Sequence, residues 1–183
     1  MKWFIASDIH GSAYWCEEML KAYEREKADR LILLGDILYH GPRNDLPREY
    51  DPKRVIALLS PYADRILAVR GNCDTEVDQM VLPFPMMAEY AVLPVGDRLL
   101  YLTHGHKLDS VPLRLRSGDA LLCGHTHVPA AEWRGETRYY NPGSVSIPKK
   151  GSQESYMTLE GTILHWVALQ SGECFREEDL IEP

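Results

Sequence analysis

Seven residues in this chain share the chemistry of metal ligands and share a position in the local pattern. Asp8, His10, Asp36, Asn72, His104, His125 and His127 each follow a short apolar run: "WFIASDIH", "RLILLGDI", "ILAVRGNCD", "LLYLTHGH" and "ALLCGHTH". His125 and His127 flank a single residue. Side chains two apart in an extended segment share a face, so this pair is either a metal claw or two exposed polar residues at the mouth of a strand.

Taken singly, each of the seven has an ordinary reading. Asp8 is a helix cap or turn residue, Asp36 a turn former after glycine, Asn72 a left-handed turn, and His10 and His104 plain hydrogen-bonding histidines. Taken together those readings fit poorly. Five of the seven histidines (His10, His104, His106, His125 and His127) fall in these strand-end segments. The set offers three oxygen donors and four imidazoles, too many for one ion and suited to two. Carboxylate, amide and imidazole without a thiolate pair favour manganese, iron or zinc over calcium.

The elements that position them follow from the same runs. Four to six apolar residues bounded by Gly, Asn and Asp read as buried strands. Helical pattern separates the early ones. Ser12 is the expected N-cap of a helix over "SAYWCEEMLKAYEREKA", with Trp15, Met19, Ala22 and Tyr23 on its buried face. Pro52 stands near the start of a second, whose apolar side is Val55, Leu58 and Leu59. Strands alternating with helices predict an α/β fold with a largely parallel buried sheet, and in such sheets ligands bind beyond the carboxyl ends of the strands. The loop between Ile37 and Asp51 is long enough to be functional. From Thr137 onward, short strands and turn residues predict antiparallel strands completing a second sheet, with "EGT" and "SGE" as turns. The acidic tail "REEDLIEP" is expected to be frayed or on the surface.

Composition excludes several classes. At 183 residues the chain is expected to be one domain, 1–183, with a core of its own. The apolar fraction of 45% and charged fraction of 26% are those of a soluble protein. A net charge of -7 argues against long nucleic acid as a partner. It allows a small phosphorylated substrate where bound cations invert the local field. Cys16, Cys73, Cys123 and Cys174 are well separated, which points to reduced thiols and a cytoplasmic setting. No apolar stretch approaches the ~20 residues of a membrane span.

The order Asp-x-His, Gly-Asp, Gly-Asn-x-Asp, His-Gly-His, Gly-His-x-His resembles the calcineurin-like metallophosphoesterases, on "SDIHG", "LLGDI", "RGNCDT", "THGH" and "GHTH". "NPGSVSIP" is similar to the segment that follows in the small bacterial and archaeal phosphodiesterase (YfcE-like) branch. The resemblance implies a two-sheet β-sandwich flanked by helices. It implies two divalent metal ions, manganese before zinc or iron. Asp8, His10 and His127 would hold one, Asn72, His104 and His125 the other, and Asp36 would bridge them. A water or hydroxide between ions about 3.5–4 Å apart would be the nucleophile. Strand-end glycines Gly35, Gly71 and Gly124 are expected to let the backbone turn sharply there.

Three departures from the family pattern bear on activity. Cys73 replaces the histidine that helps protonate the leaving group, and a thiol is a poorer acid catalyst. It is therefore an ordinary small residue, a substrate contact or a weak acid beside Asn72 and His104, and activated aryl diesters should be the best substrates. Tyr39 replaces a second, supporting Asp, which leaves His40 and Arg43 in the long loop as substrate contacts or solvated loop residues. "HGH" offers two histidines for one ligand position: His104 is taken as ligand, and His106 as a residue that orients substrate or supports a ligand. The expected activity is hydrolysis of a small phosphodiester. The alternatives are a phosphomonoesterase, a non-catalytic scaffold of the same fold like the retromer subunit, and a zinc hydrolase of another fold. Neither membrane nor long nucleic acid is an expected partner, and assembly into a homo-oligomer stays open.

Overall fold

The strand segment Lys2–Ala6 (β1) shows how the fold is built. Its residues alternate between two buried faces. Phe4 and Ala6 join one apolar cluster and Ile5 joins another. Arg30–Leu33 (β2) repeats this, with Leu31 and Leu33 on one side and Ile32 on the other. A run that is apolar at every position, rather than every second one, needs cover on both faces of its sheet.

Helices cover one face. Ala13–Glu26 (α1) begins at Ser12, whose hydroxyl accepts the Trp15 N–H at 3.3 Å, and buries Trp15, Met19, Ala22 and Tyr23 as expected. Pro52–Leu59 (α2) starts at Asp51, a cap the sequence reading did not single out. It buries Val55 and Leu59, leaves Leu58 half-buried, and runs into a 3₁₀ segment at Ser60–Arg65. A second sheet covers the other face. Between the two lie Ile5, Ile32, Leu102, Leu122, Tyr140 and Trp166.

Both sheets are mixed, so the largely parallel sheet expected from the sequence is corrected. With Ile66–Ala68 (β3), Ser155–Glu160 (β9), Ile163–Ala168 (β10) and Cys174–Asp179 (β11), the first sheet has the order β11-β10-β9-β1-β2-β3. β1, β2 and β3 are parallel, while β9 pairs antiparallel with β1. The second sheet has Tyr90–Val95 (β4), Arg98–Thr103 (β5), Ala120–Cys123 (β6), Pro129–Arg134 (β7) and Thr137–Pro142 (β8) in the order β4-β5-β6-β8-β7. β5, β6 and β8 are parallel.

One further expectation is corrected. Of the strands after Thr137, only β8 enters the second sheet; β9 and β10 extend the first. The acidic tail lies on the surface, one of its two expected states, and is not frayed through Asp179. It forms β11, an edge strand on β10, and Leu180 is buried behind it. "EGT" and "SGE" are turns, with Gly161 and Gly172 at φ +63° and +72°. This computed structural model describes residues 1–108 and 113–181, so the last two residues of the tail lie outside the described residues. No helix among them is long and apolar enough to cross a membrane.

Candidate metal centre

Five strands, β1, β2 and β3 of one sheet and β5 and β6 of the other, end at one edge of the sandwich and deliver all seven candidate ligands there. The backbone turns through the ligands themselves. Asp8, His10, Asp36, His125 and His127 all have φ between +50° and +68°. Left-handed backbone costs a non-glycine residue about 1–2 kcal/mol, so five such residues are held by neighbours. The backbone N–H groups of Asp8 and His10 donate to Gly35 O and Asp36 O at 3.2 and 2.9 Å. Ser144 and Ser146 donate their hydroxyls to Asp8 O at 2.9 and 2.8 Å, and His125 N–H donates to Asp8 Oδ2 at 3.1 Å.

The glycines act differently from expectation. Only Gly35 turns through positive φ, at +92°. Gly71 and Gly124 are needed for closeness: a Cβ on Gly71 would strike the Asp36 carboxylate, and one on Gly124 the Ser7 hydroxyl.

The side chains converge. His127 Nε2 lies 3.2 Å from both Asp8 Oδ1 and His10 Nε2. Asp36 Oδ2 lies 3.3 Å from His104 Nε2 and 3.7 Å from His10 Nε2. Asn72 Oδ1 lies 3.1 Å from His104 Nε2. His125 is half-buried, with its ring 5.0 Å from that of His104. Three imidazoles are oriented alike. Nδ1 of His10 meets Tyr39 O at 2.8 Å, that of His104 meets Leu34 O at 2.6 Å, and that of His127 meets Ile147 O at 2.6 Å. An Nδ1–H donated to a carbonyl leaves the Nε2 lone pair facing inward, the arrangement that orients metal-binding histidines.

The donor set fits divalent cations. Lone pairs of His10, His127 and Asp8 face one another, and Asp8 Oδ1 is buried with no hydrogen-bond partner. Either a proton or a metal ion must sit among these atoms. Burial alone would raise Asp8, but His10 and His127 outweigh it and hold the carboxyl well below the usual range. Asp36 is lowered against its burial by His104. Burial works against protonated His10 and His104, yet Asp8 raises the first and Asp36 chiefly raises the second, to about 9. The buried carboxylates that favour a proton at Nε2 would also favour a cation there, in competition with the proton.

Around the ligands lies a cavity of about 430 Å³ whose lining includes Arg43, Asn44, Asn72, Cys73, Thr126 and Lys149. Arg43 lies in this lining, and so do Asn44, Thr126 and Lys149, which were not foreseen. His40 does not line this cavity, which corrects its reading as a substrate contact. Its ring packs edge-on against Tyr39 and Tyr50, at centroid distances of 4.8 and 5.1 Å. Tyr39, at the position of the missing acid, contributes its carbonyl to His10 instead. His106 is also absent from the lining and packs on His104 at 5.4 Å; burial and then the charge of His104 push it down to about 4. His104, not His106, meets Asp36 and Asn72. Cys73 lies under Asp36, donating its N–H to Asp36 Oδ1 at 2.8 Å, and burial followed by the Asp36 charge push its thiol up to about 12.

Two supports were missed. Asp74 accepts three backbone N–H groups, from Asp36 and Gly71 at Oδ2 (2.8 and 2.7 Å) and from Ile37 at Oδ1 (2.9 Å). Asn141 donates to Gly124 O at 2.6 Å and to Thr126 Oγ1 at 3.1 Å, tying β8 to the turn that carries His125. The Asp of "GNCD" and the Asn of "NPGS" were the available signals.

Several known proteins are similar to this chain. The phosphodiesterase YfcE of Escherichia coli (strain K12) is 47% identical over 171 residues, 92% of each chain. The solved structure of YfcE, described as a phosphoesterase from E. coli, superposes with a TM-score of 0.91 at 44% identity, covering 98% of this chain and 100% of that one. A Vps29 structure from Entamoeba histolytica shares the fold at a TM-score of 0.61 and 21% identity, over 98% and 99% of the two chains. The calcineurin-like phosphoesterase superfamily domain matches residues 1–162. On that match, and on the likeness to YfcE over nearly its full length, this chain belongs to the calcineurin-like phosphoesterase superfamily.

Proposed function

We propose that the protein hydrolyses small phosphodiesters at a centre of two divalent cations. The observation that carries this is the place of Asp36: its Oδ2 lies between His10 Nε2 on one side and His104 Nε2 on the other. Asp8, His10 and His127 would hold one cation, Asn72, His104 and His125 the second, and Asp36 would serve both. When bound, such cations neutralise phosphoryl oxygens and make water a competent nucleophile near neutral pH. The carboxylate, amide and imidazole donors suit manganese, iron or zinc, and manganese is the proposed working metal on the family resemblance.

The chain's own residues supply binding and orientation. Arg43 and Lys149 are the cations of the cavity wall and attract the phosphodiester anion. The carbonyls of Tyr39, Leu34 and Ile147 hold three imidazoles in one tautomer. A thiol at position 73 is a poorer acid catalyst than the histidine of the family pattern and would give little help to a leaving alcohol. Diesters with good leaving groups are therefore favoured over alkyl monoesters. The convergence of all the donors speaks for an enzyme rather than a scaffold that shares only the fold. Four free cysteines support the cytoplasmic setting as part of this reading.

The test strips the metal, restores manganese, zinc or iron singly, and measures paired aryl phosphate mono- and diesters. Manganese-dependent hydrolysis of the diester is expected. Faster turnover of unactivated monoesters than of aryl diesters would contradict it.

A further inference from the structure

A second concavity opens beside the metal cavity, and Cys73 lines both. This groove, of about 350 Å³, is lined by Leu38, Tyr39 and Tyr50 and by Val77 and Val81 of Glu76–Val81 (α3). The two spaces differ in chemistry. No Lys, Arg or His lines the groove, whereas Arg43 and Lys149 line the metal cavity. The groove's one carboxylate, Asp78, is engaged at the start of α3, accepting the N–H and hydroxyl of Thr75 at 2.8 and 3.1 Å. Its apolar rim is left open: Tyr39, Val77 and Val81 are 41%, 66% and 47% exposed.

A phosphodiester is the kind of molecule that spans two such spaces. Two ester arms diverge from one phosphorus, and here a polar and an apolar space diverge at one small side chain. The Cys73 sulfur lies within 4.8 Å of donor atoms of His10 and Asp36, so an arm passing it would start beside the candidate metal ligands. Tyrosine rings and valines make walls suited to a flat apolar group.

We propose that this groove receives one ester arm of the substrate, and that the arm is a planar apolar alcohol, aryl or heteroaryl, with the phosphate and the more polar arm on the Arg43 and Lys149 side. This rests on the phosphodiesterase reading and adds the substrate class to it. Val77 and Val81 are then specificity-determining positions.

The test measures calorimetric affinities of the manganese-loaded protein for phenylphosphonate and methylphosphonate, which share a head group and differ in the arm. The parent should bind the phenyl compound about tenfold more tightly, the order expected for burying one ring in a half-open groove. Val81→Trp, which fills the groove, and Val77→Asn with Val81→Gln, which makes it polar, should each bring the ratio towards one. Both positions are exposed, so folding should survive in each variant. Equal affinities in the parent, failure of either phosphonate to bind, or a ratio unchanged in both variants would overturn the proposal. So would sedimentation showing that the parent self-associates through this face and that the variants release it with the ratio intact. A ratio that collapses in the variants of a protein that hydrolyses no phosphodiester would support the groove and refute the activity.

Discussion

Asp74 does not line the metal cavity, yet its Oδ2 accepts the backbone N–H of Asp36 at 2.8 Å and so holds the bridging candidate in its left-handed conformation. The carboxylate is buried and accepts two further N–H groups. Asp74→Asn keeps the shape but turns an acceptor into a donor facing N–H groups. A loss of about 1–3 kcal/mol in stability is expected, with about 10–100-fold weaker metal binding. Thermal melts and metal titrations of the folded variant check both. Unchanged metal affinity would show that Asp36 needs no such support.

Asp36 itself gives a sharper outcome. Asp36→Ala should lose both ions or all turnover while the fold survives, because it removes the carboxylate between the two donor groups. Metal analysis of the folded variant decides: two ions per chain with normal turnover would refute the bridging assignment. Asn72→Ala should be milder for metal content, since an amide is a neutral ligand, and should still reduce turnover.

Cys73→His tests acid assistance. If position 73 faces the leaving group, a histidine there should raise rates on alkyl esters more than on nitrophenyl esters, by up to about 10²–10⁴-fold. The structure narrows that expectation to a partial gain. Such a histidine needs an orienting carboxylate, and both oxygens of Asp74 are already engaged. The readout is the variant-to-parent rate ratio on each ester at equal metal occupancy. Equal ratios would mean that position 73 does no acid work.

A stability prediction lies away from the site. Glu26 accepts from Lys2 Nζ and from the Tyr156 hydroxyl, both at 2.7 Å. Burial alone would raise its carboxyl, but these partners hold it below the usual value. A carboxyl lowered by folding contributes stability that is fully present above its unfolded pKa and lost as pH falls through its folded pKa. Glu26→Gln should therefore cost on the order of 1 kcal/mol at pH 7. Urea melts of both proteins should converge below about pH 4. A constant difference across that range would show that the contact is not ionic.

The strands that carry the site were legible in the sequence because each is a local pattern: a short apolar run, then a polar residue where the backbone leaves the sheet. All seven candidate ligands, the N-cap and buried face of α1, and the proline near the start of α2 were read from local pattern. The pairing of strands was not, because it joins residues far apart in the chain. β9, β10 and β11 continue the first sheet beside β1, which no local periodicity distinguishes from a place in the second. The same holds for atoms at the site. Sequence offered His40 and His106 as equals of Arg43, and only the packing turns both histidines away from the cavity lining. It gave Asp74 no role of its own, whereas its carboxylate reaches the N–H groups of Asp36, Ile37 and Gly71. Residue types and spacing determined which donors exist and that strand ends carry them. Tertiary structure decided which lone pairs meet, because that depends on two sheets ending at one edge and on left-handed turns that only long-range hydrogen bonds can hold.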